Sequence, residues 1–99
     1  MWVKVAKISE VEEGSGRVVE ANSQQIALFK TDGKFYAIDN LCHHRGGPLG
    51  EGCLEGTTVT CPWHAWTYNV TTGECQSVPD ANQKCFKVKT EGEDILVEV

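Results

Sequence analysis

Two short pairs of metal-binding residue types constrain this chain more than anything else in it: Cys42-x-His44 and, after sixteen intervening residues, Cys61-Pro62-Trp63-His64. Each pair supplies one thiolate and one imidazole. Neither pair fills a coordination sphere alone, so the fold must bring two loops to one point. Antiparallel β-structure does this readily, because neighbouring loops at one end of a sheet converge from opposite sides.

The remaining pattern agrees with an all-β chain. Segments rich in β-branched and aromatic residues recur between turn signals, at Trp2 to Ile8, Arg17 to Ala21, Gln25 to Lys30, Phe35 to Asp39, Thr57 to Thr60, Phe86 to Lys89 and Ile95 to Val99. Thr31-Asp32-Gly33-Lys34 places Asp-Gly between two such runs, a strong hairpin signal because Gly accepts the positive φ the turn demands. Thr72-Gly73 and Glu91-Gly92 read as further turns. Helical periodicity never persists, although Ser9 followed by Glu12 predicts one short capped helical turn around Val11. Between Leu41 and Gly56 six of sixteen residues are Gly or Pro, strand character disappears, and a loop is expected.

With 99 residues the chain suits one domain over 1–99, the ligand pairs lying in a part of about 40–79. A formal charge of -5 argues against a nucleic-acid binder, which needs clustered Lys and Arg. Residues 41–80 hold one arginine against four acidic residues, net -3, so most of the excess lies around the ligand pairs. No apolar stretch approaches the roughly 20 residues of a spanning helix, and Met1-Trp2-Val3-Lys4 has no signal-peptide character. A cytoplasmic protein without membrane attachment is expected. Five cysteines are an odd number, and two of them sit beside histidines, which favours metal binding over a disulfide framework. Cys53, Cys75 and Cys85 are then expected to be small buried apolar residues.

Zinc and iron-sulfur centres both accept two Cys and two His, so ligand chemistry alone does not separate them. A Cys2His2 zinc finger groups its cysteines first and its histidines later on a helix, whereas here each half carries one of each and no helix follows. A nucleophilic Cys/His pair would leave the second pair a coincidence and lacks an orienting third group.

The two boxes Cys42-His43-His44-Arg45-Gly46-Gly47-Pro48-Leu49 and Cys61-Pro62-Trp63-His64-Ala65-Trp66 resemble the cluster-binding loops of Rieske proteins. The resemblance implies the Rieske fold: antiparallel sheets in a sandwich, with a cluster-binding subdomain of two loops. It implies one 2Fe-2S cluster held by Cys42 and Cys61 on one iron and His44 and His64 on the other. Two ferric ions and two sulfides carry a charge of +2, so two thiolates leave the oxidised site neutral where four would leave it at -2. Such centres accordingly lie at about -150 to +300 mV against about -400 mV for four-Cys plant-type clusters.

High-potential respiratory members carry an extra disulfide, whose cysteines align with Gly47 and Trp63, and a sulfide-bonding serine that aligns with Trp66. All three are absent, which points to the low-potential end. Tyr68 falls where those members keep a tyrosine bonded to a ligand sulfur and works in the other direction. Gly46, Gly47 and Gly50 are expected to let backbone amides approach the sulfides and to permit tight turns. His43 is expected to turn to the surface, Arg45 to be solvated, and Pro79 resembles the family's proline loop over the cluster.

A cluster with all four protein positions filled leaves no site for substrate, so the expectation is electron transfer without catalysis at the metal. All three histidines are placed, leaving no 2-His-1-carboxylate iron site. The ring nitrogens of His44 and His64 facing outward could exchange protons with redox state. Resemblance to ferredoxins of multicomponent dioxygenases implies a monomeric carrier between a flavin-containing reductase and a terminal oxygenase. Small subunits of assimilatory nitrite reductase look similar over the same loops and imply instead a fixed partnership with a sirohaem-bearing large subunit. A structural zinc module is the third reading.

Overall fold

The computed structural model describes residues 1–42, 46–63, 65–78 and 80–99. Ten strands follow in chain order: β1 (Trp2–Lys7), β2 (Ser15–Ala21), β3 (Gln24–Thr31), β4 (Lys34–Asp39), β5 (Cys53–Glu55), β6 (Thr58–Thr60), β7 (Thr67–Asn69), β8 (Cys85–Phe86), β9 (Val88–Glu91) and β10 (Asp94–Glu98). All pair antiparallel, in sheets ordered β1-β10-β9, β2-β3-β4-β8 and β5-β6-β7. Among the described residues no helix is long and apolar enough to cross a membrane.

The middle sheet divides the molecule, and β3 shows why. Ile26, Ala27, Leu28 and Phe29 form an unbroken apolar run, all at 0% exposure. Side chains alternate across a strand, so both of its faces are covered. Ile26 and Leu28 pack with Val19, Ala37, Phe86, Ile95 and Val97 on the β1-β10-β9 side. Ala27 and Phe29 pack with Ile38, Leu49, Val59 and Tyr68 on the β5-β6-β7 side.

Turn chemistry sets the registers. Thr31 pairs with Lys34 across Asp32 and Gly33, both at positive φ (54° and 73°), the hairpin expected from Asp-Gly. A second hairpin of the same kind joins β2 to β3 through Asn22 and Ser23, at φ 51° and 66°. The helical turn expected around Val11 lies earlier, as a 3-10 turn over Ile8–Glu10. There the Glu10 carboxylate accepts the Lys7 N–H at 2.7 Å, while the Glu12 carbonyl accepts from Ser15, from its Oγ at 2.7 Å and its N–H at 3.2 Å.

Strand character does not disappear between Leu41 and Gly56. Cys53–Glu55 form β5, which pairs with β6, and a 3-10 turn precedes it at Leu49–Glu51. β7 was likewise absent from the sequence reading. These three-residue strands are too short for alternation to register. Cys53 and Cys85 are exposed, contrary to expectation, and only Cys75 of the three extra cysteines is buried.

Candidate metal centre

The ligand boxes occupy a first loop (residues 40–48), which leaves β4, and a second loop (61–66), between β6 and β7. Cys42 and Cys61 are both 3% exposed and share one apolar cluster with Leu49, Val59, Tyr68 and Val70. His44 and His64 lie outside the described residues, as do His43, Arg45 and Pro79, on which the surface, solvation and proline-loop expectations fell. Of the four expected ligands, the described structure therefore places the two thiols.

Each loop closes on its own cysteine by the same pair of main-chain hydrogen bonds. In the first, Cys42 N–H donates to the Gly47 carbonyl at 2.9 Å and Gly46 N–H to the Cys42 carbonyl at 2.7 Å. In the second, Cys61 N–H donates to the Trp66 carbonyl at 2.8 Å and Ala65 N–H to the Cys61 carbonyl at 3.1 Å. The fourth residue after each cysteine takes a positive φ, Gly46 at 72° and Ala65 at 60°. Gly46 was legible as a turn residue. Ala65 carries no such signal, because alanine is not a left-handed residue by preference.

Gly47 joins the loops. Its carbonyl holds the Cys42 amide, and a Cβ on it would lie 2.7 Å from Cys61 Sγ and 3.1 Å from Trp63 Cγ. The first loop's backbone thus passes directly against the second loop's thiol and the Trp63 ring. Glycine is required there by space. Gly50 does other work than expected. Its amide donates to Asn40 Oδ1 at 2.8 Å, and a side chain on it would collide with the β2 backbone at Arg17 and Val18. The Gly46 amide, held by Cys42, is also committed to the turn.

Polar groups support the first loop from beneath. Tyr68 on β7 is fully buried, with Oη 3.3 Å from Cys42 Sγ. A thiolate there can only accept, so the phenol becomes the donor when Cys42 is a ligand. Asn40, at 0% exposure, anchors both loop ends: its main chain bonds Gln25 and Leu49, and its Nδ2 donates to Gln25 Oε1 at 3.1 Å. Gln83 Nε2 donates to the carbonyls of Asp39 at 2.9 Å and Leu41 at 2.6 Å. Sequence reasoning found Tyr68 and missed Asn40 and Gln83, which belong to no ligand spacing. Cys75 accepts the Val78 N–H at 3.4 Å and donates its own amide to Asn82 Oδ1 at 2.9 Å, so it braces the segment that leads to Pro79. A groove of about 480 Å³ lined by Ile8, Lys30, Phe35 and Val88 touches neither loop.

Two sealed thiols, joined through a glycine too close to the Cys61 sulfur for any side chain, fit a compact sulfur-ligated centre. The Rieske [2Fe-2S] domain family matches residues 1–95. The chain belongs to that family. Its cofactor is one Rieske 2Fe-2S cluster, and the structural zinc reading falls. The ferredoxin component of a naphthalene 1,2-dioxygenase system from Pseudomonas aeruginosa is 32% identical, over 99% of this chain and 95% of its own length. The ferredoxin of carbazole 1,9a-dioxygenase from Nocardioides aromaticivorans IC177 superposes with TM-score 0.90 at 25% identity, over 98% of this chain and 96% of that one. A chain in a complex of reduced oxygenase and oxidized ferredoxin of carbazole 1,9a-dioxygenase gives TM-score 0.87 at 31% identity, over 97% of this Rieske chain and 91% of that one.

Proposed function

We propose that this chain is a one-electron carrier of a Rieske oxygenase system, reduced by a flavin-containing reductase and oxidised by a terminal oxygenase. Cys42, His44, Cys61 and His64 would hold the cluster, which when bound supplies a reversible one-electron couple. The observation that carries the reading is the contrast within the ligand loops. Cys42 and Cys61 are sealed at 3% exposure, while Leu41 and Trp63 beside them stand 50% and 57% exposed. The residues next to the thiols thus present an apolar rim where a protein partner can exclude water, and the chain needs no substrate pocket of its own. Likeness over nearly the full length of dioxygenase ferredoxins supports the same assignment. The reading extends to a monomer working in the cytoplasm, where the exposed thiols of Cys53 and Cys85 are compatible with a reducing milieu.

The test is reconstitution. Iron-loaded protein is mixed with a nicotinamide-linked flavin reductase and a Rieske terminal oxygenase, and the cluster absorbance is followed by stopped flow. One electron taken up per chain, then lost on adding oxygenase with turnover of its substrate, is the expected result. Permanent co-elution with a sirohaem nitrite reductase and no transfer in free solution would favour the accessory-subunit reading instead.

A further inference from the structure

We propose that Gln83 is a positioning residue for Cys42, holding the first ligand loop through a side chain that takes over where a β-ladder ends. The inference rests on Cys42 being a cluster ligand.

The backbone ladder between β4 and β8 is short. Only Ala37–Phe86 and Ile38–Cys85 pair, and one further bond, Asp39 N–H to the Lys84 carbonyl at 2.9 Å, extends it. Beyond that point, among the described residues, β8 pairs no further with the chain on this edge, while β3 still holds Asn40 on the other. Carbonyls two residues apart on an extended chain point the same way. The Gln83 carboxamide meets both of the next such carbonyls, Asp39 at 2.9 Å and Leu41 at 2.6 Å, with its two N–H donors. Ladder order therefore reaches the residue that precedes Cys42.

The side chain is itself anchored. Gln83 is 6% exposed, its N–H donates to the Gly73 carbonyl at 2.7 Å, and a Cβ on Gly73 would overlap the Gln83 carbonyl oxygen. Gly73, at φ 80°, ends the tight turn that follows β7, the strand carrying Tyr68. One end of Gln83 is thus fixed to the turn behind Tyr68 and the other to the backbone before Cys42, the two partners of the 3.3 Å contact between phenol and sulfur. A leucine of similar volume would fill the space. It would remove the donor from two partly buried carbonyl bonds and free Leu41 to shift, which is why an amide there does more than pack.

The experiment compares parent, Gln83→Leu and Gln83→Asn as iron-loaded proteins, by EPR of the dithionite-reduced state and by the rate of iron release to a chelator well below the melting temperature. The expected result is an altered, broadened g-tensor and about tenfold faster release for Gln83→Leu, the low end for residues that orient metal ligands. Gln83→Asn keeps the carboxamide one methylene short and falls between. It also serves if the leucine variant fails to fold. Lowered melting temperature with g-values unchanged and release within about twofold of the parent reduces Gln83 to a structural residue and overturns the proposal. A parent without a mixed Cys/His 2Fe-2S signal would overturn the ligand assignment, and the inference with it, a failure visible before any variant is made.

Discussion

The two faces of the central sheet each cover an apolar cluster but solve different problems. On the β1-β10-β9 side, Ile26 and Leu28 join a cluster of aliphatic side chains and Phe86, without a thiol or hydroxyl among its buried members. One residue out of step, Ala27 and Phe29 meet a core that includes three thiols and a tyrosine hydroxyl. Apolar packing is non-directional, so the first core needs only volume and pattern. The second must hold sulfur atoms at fixed places, and it is there that buried hydrogen-bonding side chains collect: Tyr68 under Cys42, and Asn40 and Gln83 at the loop ends. One strand, read with period two, separates a core that supplies stability from one that supplies geometry.

That division can be broken from either side. The largest effect is expected from Gly47→Ala, whose Cβ would sit 2.7 Å from Cys61 Sγ. A ligand sulfur cannot yield, so most iron and acid-labile sulfide should be lost while far-UV circular dichroism keeps its β signature. Leu28→Ala strikes the opposite face and should cost about 3 kcal/mol in urea unfolding. The EPR g-values of the folded fraction should stay as they were, and a change in them would mean the faces are coupled. Tyr68→Phe removes the hydroxyl beside Cys42. A hydrogen bond to sulfur favours the reduced, more negative state, so its loss should lower the midpoint potential by about 40 mV for about 1 kcal/mol, measured by redox titration. Ala65→Gly relieves a left-handed alanine at φ 60° and should stabilise by about 0.5–1 kcal/mol without moving the potential.

Much of the scaffold was legible because its longer strands obey local rules. β2, β3 and β4 combine β-branched runs with turn residues, and Asp32-Gly33 names its own hairpin. Cys42 and Cys61 stood out in the sequence because each sits beside a histidine at short spacing, and the fold brings both into one buried cluster. What escaped depends on contacts between distant residues. β5 and β7 are three residues each and exist by pairing with β6. Asn22-Ser23 adopts the same turn as Asp-Gly without its glycine. Gln83 reaches a carbonyl 42 positions away, which no window along the chain contains. Cys53 and Cys85 look as apolar as Cys75 in sequence, and only strand register decides which faces inward. Burial of the Cys85 sulfur still raises its thiol pKa by desolvation, which lowers its thiolate fraction at neutral pH.

The repeated closure of the ligand loops bears on how the cofactor is acquired. All four bonds, Cys42 with Gly46 and Gly47 and Cys61 with Ala65 and Trp66, run between main-chain atoms and engage no sulfur or imidazole donor. Part of the cost of ordering the described loop residues is therefore met by main-chain bonds that need no metal. Cluster uptake would then draw on curvature that Gly46, Gly47, Ala65 and Trp66 set through the main chain, apart from the side chains that would bind iron.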